Sequence, residues 1–487
     1  MKRRDFSKSL LAFGVGAQTT HAATTPIQST QSKGDVYLEP AKPIPVRHVD
    51  VVVAGGGTAG VVAALAAARQ GVKVMLIEKK GYTGGAITEG GTALHSFFNL
   101  WKPFGVEKRQ VVRGIPQEII DRMLAVGGCT GHGDQVERVG YDSVCTAIDT
   151  ELYKMVAHSM LDESGVWVAV NTLLVGAIMD GPRIKGVISE SRSGREAVYA
   201  KAFVDCTAYG DLSAHAGADY TEPNDYAVCN SFGVGNVDID KYYDFLKSNN
   251  AVTELAYGIR NGKDNQVVRL NGNRVKLGDE FSEEAGKIGM SMTTTTVHEK
   301  YIMFIKMNTK MAKSPTDRDE TAKTELKLRK NQYRAVQLFR KFVPGCENAF
   351  IARTAPSLNI RRARYIVCDY DITHEDIVDA RHFDDEIMVY GFHDMAPGLQ
   401  VKNGGTYGLP YRALRVAGVE NLLASGMLIT SDHRAHMSTR NTVCSMGQGQ
   451  ASGTAAALCA KKQMGTRDLK YADLRDALDQ AGVYFET

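Results

Sequence analysis

Val49–Ala54 is an apolar run of strand length broken only by Asp50, and it leads straight into Gly55-Gly56-Gly57-Thr58-Ala59-Gly60. An Ala-rich apolar segment, Val61–Gln70, comes next and stops at Gly71. A second short apolar run, Val72–Ile77, closes on Glu78. The pattern predicts strand, glycine turn, helix, strand and then an acid. Ala-rich composition suits a helix pressed closely on a sheet, and Gly71 suits its C-terminal stop. Each glycine of the turn has a task. Gly55 allows the tight turn, Gly57 lets phosphates approach the backbone, and Gly60 lets the helix lie against the strand. Thr58 and Ala59 open the helix, whose N-terminal N–H groups suit a pyrophosphate. Glu78 falls about twenty residues past the turn, where a carboxylate meets ribose hydroxyls, and Lys79 stands beside it. These positions predict a dinucleotide site.

A second glycine-dense loop, Gly81–Gly91, contains Gly84, Gly85 and Ala86. The first unit alone serves NAD or FAD equally. Bare backbone in this second loop favours FAD, whose isoalloxazine has to pass the chain. Residues 92–148 show no clear period and read as irregular, with part of an active-site mouth. Leu152, Met155, Val156 and Met160 mark one helical face ending at Gly165. Val166–Val170 reads as a strand. Residues 184–190 and 196–202 read as a hairpin about Ser193-Gly194. The apolar run at Phe203 carries Asp205 and ends in a small-residue turn with Gly210 and Asp211. Residues 221–345 are the least patterned, apart from a long charged helix over 316–342 with Leu326, Tyr333, Val336 and Phe339 on its apolar face. Val419–Gly426 predicts another strand, and Gly447–Leu458, with Gly447 and Gly449, predicts the start of a helix.

These residues carry a resemblance. The Gly55–Gly60 loop, Glu78, Gly84-Gly85, the Asp205–Asp211 segment and the Asn421–Gly426 strand with its following helix resemble the FAD-dependent oxidoreductases of the glutathione-reductase-like, two-dinucleotide-binding-domain kind. The resemblance covers roughly residues 46–220 and 350–465. It implies an α/β fold: a Rossmann-like parallel-sheet FAD-binding domain, discontinuous in sequence, with an inserted α+β substrate (cap) domain. The expected layout is FAD-binding residues 46–220 and 411–465, a cap over 221–410, and a C-terminal tail over 466–487. The family's Ile-Arg-Glu-Ser-Arg-Arg-Ile segment is similar to Ile360–Ile366, which makes Arg361 and Arg364 candidate substrate-binding arginines or structural ones. Arg362 stands where the family more often has Glu, so an internal ion pair is expected to be lost. Met427 follows Gly426 where the family often has Arg. In such folds the helix after Gly447 aims its positive N-terminus at the flavin pyrimidine edge.

The segment Ser431–Asn441 holds the best candidates for chemistry: His433, His436 and Arg440. Hydride exchange at flavin N5 requires a proton to move nearby, which suits histidine, while arginine binds carboxylates through two donors. Each histidine reads equally as a partner of the flavin or of a backbone carbonyl, and Arg440 as a structural ion pair. His95 and His393 are weaker candidates. The His-x-x-x-Arg order is loosely similar to the fumarate-reductase class. The expected function is hydride transfer from an alcohol or saturated C–C bond to FAD. The alternative is reduction of an activated C=C bond of a carboxylate substrate, fed by cytochrome or quinol; oxygen is a further candidate electron partner. A flavoprotein electron carrier without turnover is a third reading, which the His/Arg cluster disfavours.

Composition narrows the partners. The chain has 487 residues, 44% hydrophobic and 23% charged, with net charge +3; this indicates a small-molecule substrate and no nucleic acid. No apolar run past the N-terminus is long enough to span a bilayer. The eight cysteines form no C-x-x-C, and neither they nor the 12 histidines have metal spacing, so no metal is expected. Their scatter favours buried thiols over disulfides. No second Gly-x-Gly-x-x-Gly appears, which disfavours an NAD(P)H domain. Residues 1–22 read as an export signal: Lys2-Arg3-Arg4-Asp5-Phe6 is a twin-arginine pattern, Leu10–Ala17 is a short apolar core, and Thr20-His21-Ala22 suits cleavage. Residues 23–45 read as a loose lead-in. A periplasmic flavoprotein, exported folded, is the resulting expectation.

Overall fold

Buried apolar runs too short for helices form the centre of the structure, a computed structural model that describes residues 37, 39–138, 144–394, 401–429 and 431–486. Five of them pair in one parallel sheet, in the order Leu422–Ala424, Ala202–Asp205, Val51–Ala54, Val74–Ile77 and Trp167–Ala169. The first four are buried along their whole length. Parallel strands are covered on both faces, so they read as continuous apolar runs. The edge strand is partly exposed and begins with Trp167, whose ring lies 3.7 Å from the Arg47 guanidinium. Residues 45–487 belong to one compact unit. The twin-arginine segment lies outside the described residues.

Helix Thr58–Arg69 follows the central strand and packs on helix Thr442–Lys462. The contact is backbone on backbone. A Cβ at Gly449 would lie 2.3 Å from the Ala59 carbonyl oxygen, and one at Gly453 would lie 2.0 Å from that of Ala63. The second helix starts at Thr442 rather than at Gly447. Nothing in Thr442–Met446 breaks a helix, and burial of Val443, Cys444 and Met446 extends it toward its N-terminus.

A second layer is a nine-stranded sheet in which every neighbouring pair is antiparallel. It takes short strands from Ala93–Leu94, Gly133–Arg138 and Val144–Ala147, and the others from Val228 to Thr354. The stretch 92–148 is therefore more regular than its pattern suggests. It contains helix Ile115–Ala125, buried through Ile115, Ile119, Ile120 and Met123, together with those strands. The polar sequence Gly133–Arg138 hides its strand because cross-strand pairing, not alternation, holds it.

Two helical faces also differ from expectation. Helix Arg318–Phe342, capped by Asp317, buries Thr324, Leu328, Gln332, Ala335, Val336 and Phe339, while Leu326 and Tyr333 are 65% and 64% exposed. Polar Gln332 turns inward because its amide donates to Asn230 Oδ1 at 2.6 Å. In helix Thr150–Glu163, Tyr153 is buried and Met155 is exposed. The expected hairpin about Ser193-Gly194 is present, joining Arg183–Ser191 to Gly194–Tyr199. All eight cysteines are free and buried. Among the described residues no helix is long and apolar enough to cross a membrane, and no group of His, Cys, Asp and Glu could hold a metal ion.

Candidate flavin groove and the cluster at Tyr226

A cavity of about 480 Å³ runs along the C-terminal ends of the parallel strands, the place where open α/β sheets bind ligands. Gly55, Gly57, Glu78, Lys79, Gly85, Ala86 and Asp211 all line it, joined by Arg364 and by Met427. The glycine turn is built from contacts only glycine permits. Gly55 has φ +92°, and its Cβ would sit 2.5 Å from the Cys206 carbonyl oxygen. A Cβ at Gly60 would overlap the Gly55 carbonyl oxygen at 1.8 Å. Gly57 differs: the nearest atom to its Cβ position is 3.9 Å away. Its missing side chain leaves open space in front of the helix N-terminus, which suits a phosphate. Thr58 donates from Oγ1 to the Gly84 carbonyl at 3.2 Å and ties the two glycine loops together. Gly85 lies against Gly57, and Gly84 is turned toward Thr88 and Tyr153.

Glu78 is buried. Its Oε2 accepts the Gly56 N–H and its Oε1 the Lys80 N–H, both at 2.8 Å. Burial raises its pKa, against the lowering effect of those two bonds. Each oxygen keeps a lone pair for a ribose hydroxyl. Lys79 lies 5.0 Å from the Tyr209 ring centroid at the groove wall.

The remaining predicted cofactor residues sit behind the groove. Asp205 is fully buried: Oδ1 accepts from the Thr207 N–H and hydroxyl, and Oδ2 from the Ser213 N–H and hydroxyl, at 2.7–3.0 Å. It pins the turn that carries Asp211. Gly210, at φ +69°, packs on Ile366. Gly426 donates its N–H to Gln448 Oε1 at 2.8 Å. Gly447 packs on Met388 and Gly449 on Ala59. Arg364 pairs with Asp211 at 3.0 Å and reaches the Tyr209 carbonyl, so it faces the groove. Arg361 donates to the Ala227 carbonyl at 3.4 Å and does not line it.

The candidate histidines gather around Tyr226. The His433 ring lies 4.7 Å from the Tyr226 ring and that of His436 5.6 Å, with the guanidinium carbons of Arg362 and Arg440 each 5.9 Å away. The two histidines differ in environment. His433 is half-exposed, and its Nδ1–H donates to Asp225 Oδ2 at 2.8 Å. His436 is buried; its Nε2–H donates to the Arg361 carbonyl at 2.9 Å and its Nδ1 faces the Ser431 hydroxyl. Burial drives its pKa well below the usual value, helped by the charges of Arg362 and Arg440, which favours the neutral imidazole. Arg440 is paired with Asp394. Arg362 is buried and pairs with Asp225 at 3.5 Å. Asp225 and Tyr226, which organise this cluster, lie in an unpatterned segment that gave no sequence signal. His95 is stacked on Phe392, and the His393 Nε2–H donates to the Arg434 carbonyl at 3.0 Å.

A strand–glycine-turn–helix with an acid on the next strand, opening onto a groove, defines a dinucleotide-binding α/β protein. The sequence profile of the FAD-dependent oxidoreductase family matches residues 50–478, and the chain belongs to that family. It is an FAD enzyme. No curated protein matches it in sequence. Among solved structures it is similar to a geranylgeranyl bacteriochlorophyll reductase-like protein of Thermoplasma acidophilum, with 12% identity over 90% of this chain and 83% of the other and a TM-score of 0.45. It is also similar to the myxobacterial chondrochloren halogenase, with 11% identity over 89% and 79% and a TM-score of 0.48. A third is p-nitrophenol 4-monooxygenase of Pseudomonas putida, with 9% identity over 90% and 94% and a TM-score of 0.41.

Proposed function

We propose that the chain is a periplasmic oxidoreductase of the glutathione-reductase-like kind. In this reading it takes hydride from an alcohol or a saturated C–C bond of a small organic molecule. The observation that carries the reading is the Asp225–His433 pair. Asp225 holds the Nδ1–H tautomer and leaves Nε2 with a free lone pair, the form of imidazole that accepts a proton. Bound FAD supplies the hydride acceptor. Gly57 and the N-terminus of helix Thr58–Arg69 would hold its pyrophosphate, Glu78 its ribose, and Gly85-Ala86 would flank its passage along the groove. His433, and not the buried His436, takes the proton. Arg440 and Arg362, each held by a carboxylate, hold Tyr226 and hence His433 in place. Residues 46–220 and 411–465 serve the cofactor, and 221–410 cover it as an inserted substrate domain. The electrons leave to a quinone, a cytochrome or oxygen.

The reverse reaction, reduction of an activated C=C bond beside a carboxylate, is the second reading. It is favoured by the concentration of arginine near the same ring. Anaerobic mixing separates the two: bleaching of the visible flavin band by alcohols supports the first, and reoxidation of reduced protein by unsaturated acids alone supports the second. In either case His433→Ala should lower kcat by about 10²–10⁴-fold while FAD content is unchanged; full activity in that variant refutes the assignment. Export is tested separately. Replacing Arg3 and Arg4 with lysine should leave the protein in the cytoplasm, and unchanged periplasmic yield refutes the twin-arginine reading.

A further inference from the structure

One wall of the flavin groove is a segment that the cofactor motifs do not include. Ser357 and Asn359 both line the cavity, together with Gly85, Ala86 and Glu89. Both are pinned. The Lys80 ammonium donates to the Ser357 hydroxyl and that hydroxyl donates to Glu89 Oε2, each at 2.8 Å, while Lys80 pairs with Glu89. Asn359 exchanges both backbone hydrogen bonds with Cys229 on strand Val228–Gly235, at 2.7 and 3.1 Å. Leu358, between them, is buried. The adjoining short helix, Ala86–Gly90, is fixed just as firmly. Arg353 donates to the Thr88 and Glu89 carbonyls at 2.9 and 3.1 Å, and the Ser231 hydroxyl to that of Gly90 at 2.7 Å. Side chains thus take the carbonyls that a helix end leaves free.

The Asn359 amide stands over Gly90. A Cβ at Gly90 would lie 3.2 Å from Asn359 Nδ2, closer than ordinary contact, so the glycine leaves the amide its place. Other polar side chains along the groove are engaged: Thr207 donates to Asp205, Asp211 pairs with Arg364, and Lys80, Ser357 and Glu89 hold one another. The Asn359 amide has no hydrogen bond among the described residues, although it carries an acceptor oxygen and two donor hydrogens. Its neighbours place it along the groove. Glu78 marks the ribose, and Gly85 rests on Gly57 at the pyrophosphate; the helix then carries the chain about 6 Å from Ala86 to Gly90. On the other side, Ile360 lines the groove and shares an apolar cluster with Met427, which follows the Leu422–Ala424 strand and Gly426. The amide therefore belongs to the ring end of the groove and not to the adenosine end.

We propose that Asn359 recognises the polar edge of the flavin ring, its amide serving N3–H and C4=O. The match is chemical. That edge sets a donor beside an acceptor, and a primary amide offers the complementary acceptor and donor from one plane. An N–H donor at C4=O also favours the electron-rich reduced ring, because negative charge collects there on reduction. Asn359 acts on the ring directly, while Gly90 and Ser357 position it. The proposal rests on FAD binding in this groove and on neither direction of the reaction proposed above.

The test is anaerobic potentiometric titration of the FAD-loaded enzyme, with the FAD dissociation constant measured on the same samples by ultrafiltration after dilution. Asn359→Leu removes the donor at nearly constant volume and leaves both backbone bonds. Its flavin midpoint potential should shift to more negative values, and FAD should bind about three- to tenfold more weakly, the loss expected for one neutral hydrogen bond. Asn359→Asp keeps the shape and substitutes a charge that repels the reduced ring, so its potential should fall further. Thermal unfolding confirms that each variant is folded. Wild-type potentials in both variants overturn the proposal, and so does a potential that rises in Asn359→Asp. A change confined to turnover, with potential and FAD affinity unchanged, overturns it as well and places the amide on the substrate.

Discussion

Gly57 separates the needs of the fold from those of the cofactor. Gly55 and Gly60 are glycine because neighbouring backbone occupies the space a Cβ would take. At Gly57 the backbone is extended, φ −73° and ψ −167°, and the space is free. Gly57→Ala should therefore leave stability within about 0.5 kcal/mol of wild type and yet reduce FAD retention after gel filtration. A large loss of stability would show that the open space has a structural role. The same scale explains His433 and His436. The sequence places both in one loop, and the difference between a half-exposed and a buried imidazole comes from the fold, which residue spacing does not encode. Asp225 shows the same limit from the other side: its role exists only because it meets His433 across more than two hundred residues.

Elements were most legible where both faces of a strand are buried. The runs at Val51, Val74, Phe203 and Leu422 are continuous apolar segments because the parallel sheet covers them twice. Helix faces were less legible, since Gln332 and Thr324 turn inward by hydrogen bonding or close packing while Leu326 and Tyr333 face solvent. The contact between helices Thr58–Arg69 and Thr442–Lys462 makes a sharp prediction. Gly453→Ala would place a methyl 2.0 Å from the Ala63 carbonyl oxygen, and backbone cannot rotate aside as a side chain does. Helix propensity alone would favour alanine by about 1 kcal/mol. Overpacking should outweigh it and destabilise the protein by about 1–3 kcal/mol, read by urea unfolding. FAD affinity should also fall, because Gly449 rests on Ala59 in the same turn.

For the whole molecule, acid stability follows from its buried histidines. His132, bonded to Thr146 and Gln117, has its pKa lowered to about 4 by burial and, less strongly, by Lys108. His436 is shifted the same way. A histidine with a lowered folded pKa contributes stability that is complete above about 6.5 and lost as pH falls toward the folded value. His298 is opposite: its hydrogen bond to Asp149 raises its pKa, so its contribution is full below about 6.5 and lost as pH rises through the folded value. The Tm should decline from pH 7 to 5, and His132→Asn should flatten that decline even if its Tm at pH 7 is lower. An unchanged slope would show that His132 does not titrate on unfolding.

The sequence alone determined the cofactor-binding unit, because the glycine turn, its two strands and Glu78 fall within about thirty residues. It also determined the return of the chain at Leu422, since full burial leaves an apolar run whatever its partner. The tertiary structure alone decided which polar residues meet. Asp225 meets His433 from a distant segment, and Glu254 meets Arg269 across neighbouring strands of the sheet. A polar side chain carries no periodic signature of its partner, and its charge state depends on solvent removed only when the chain has folded.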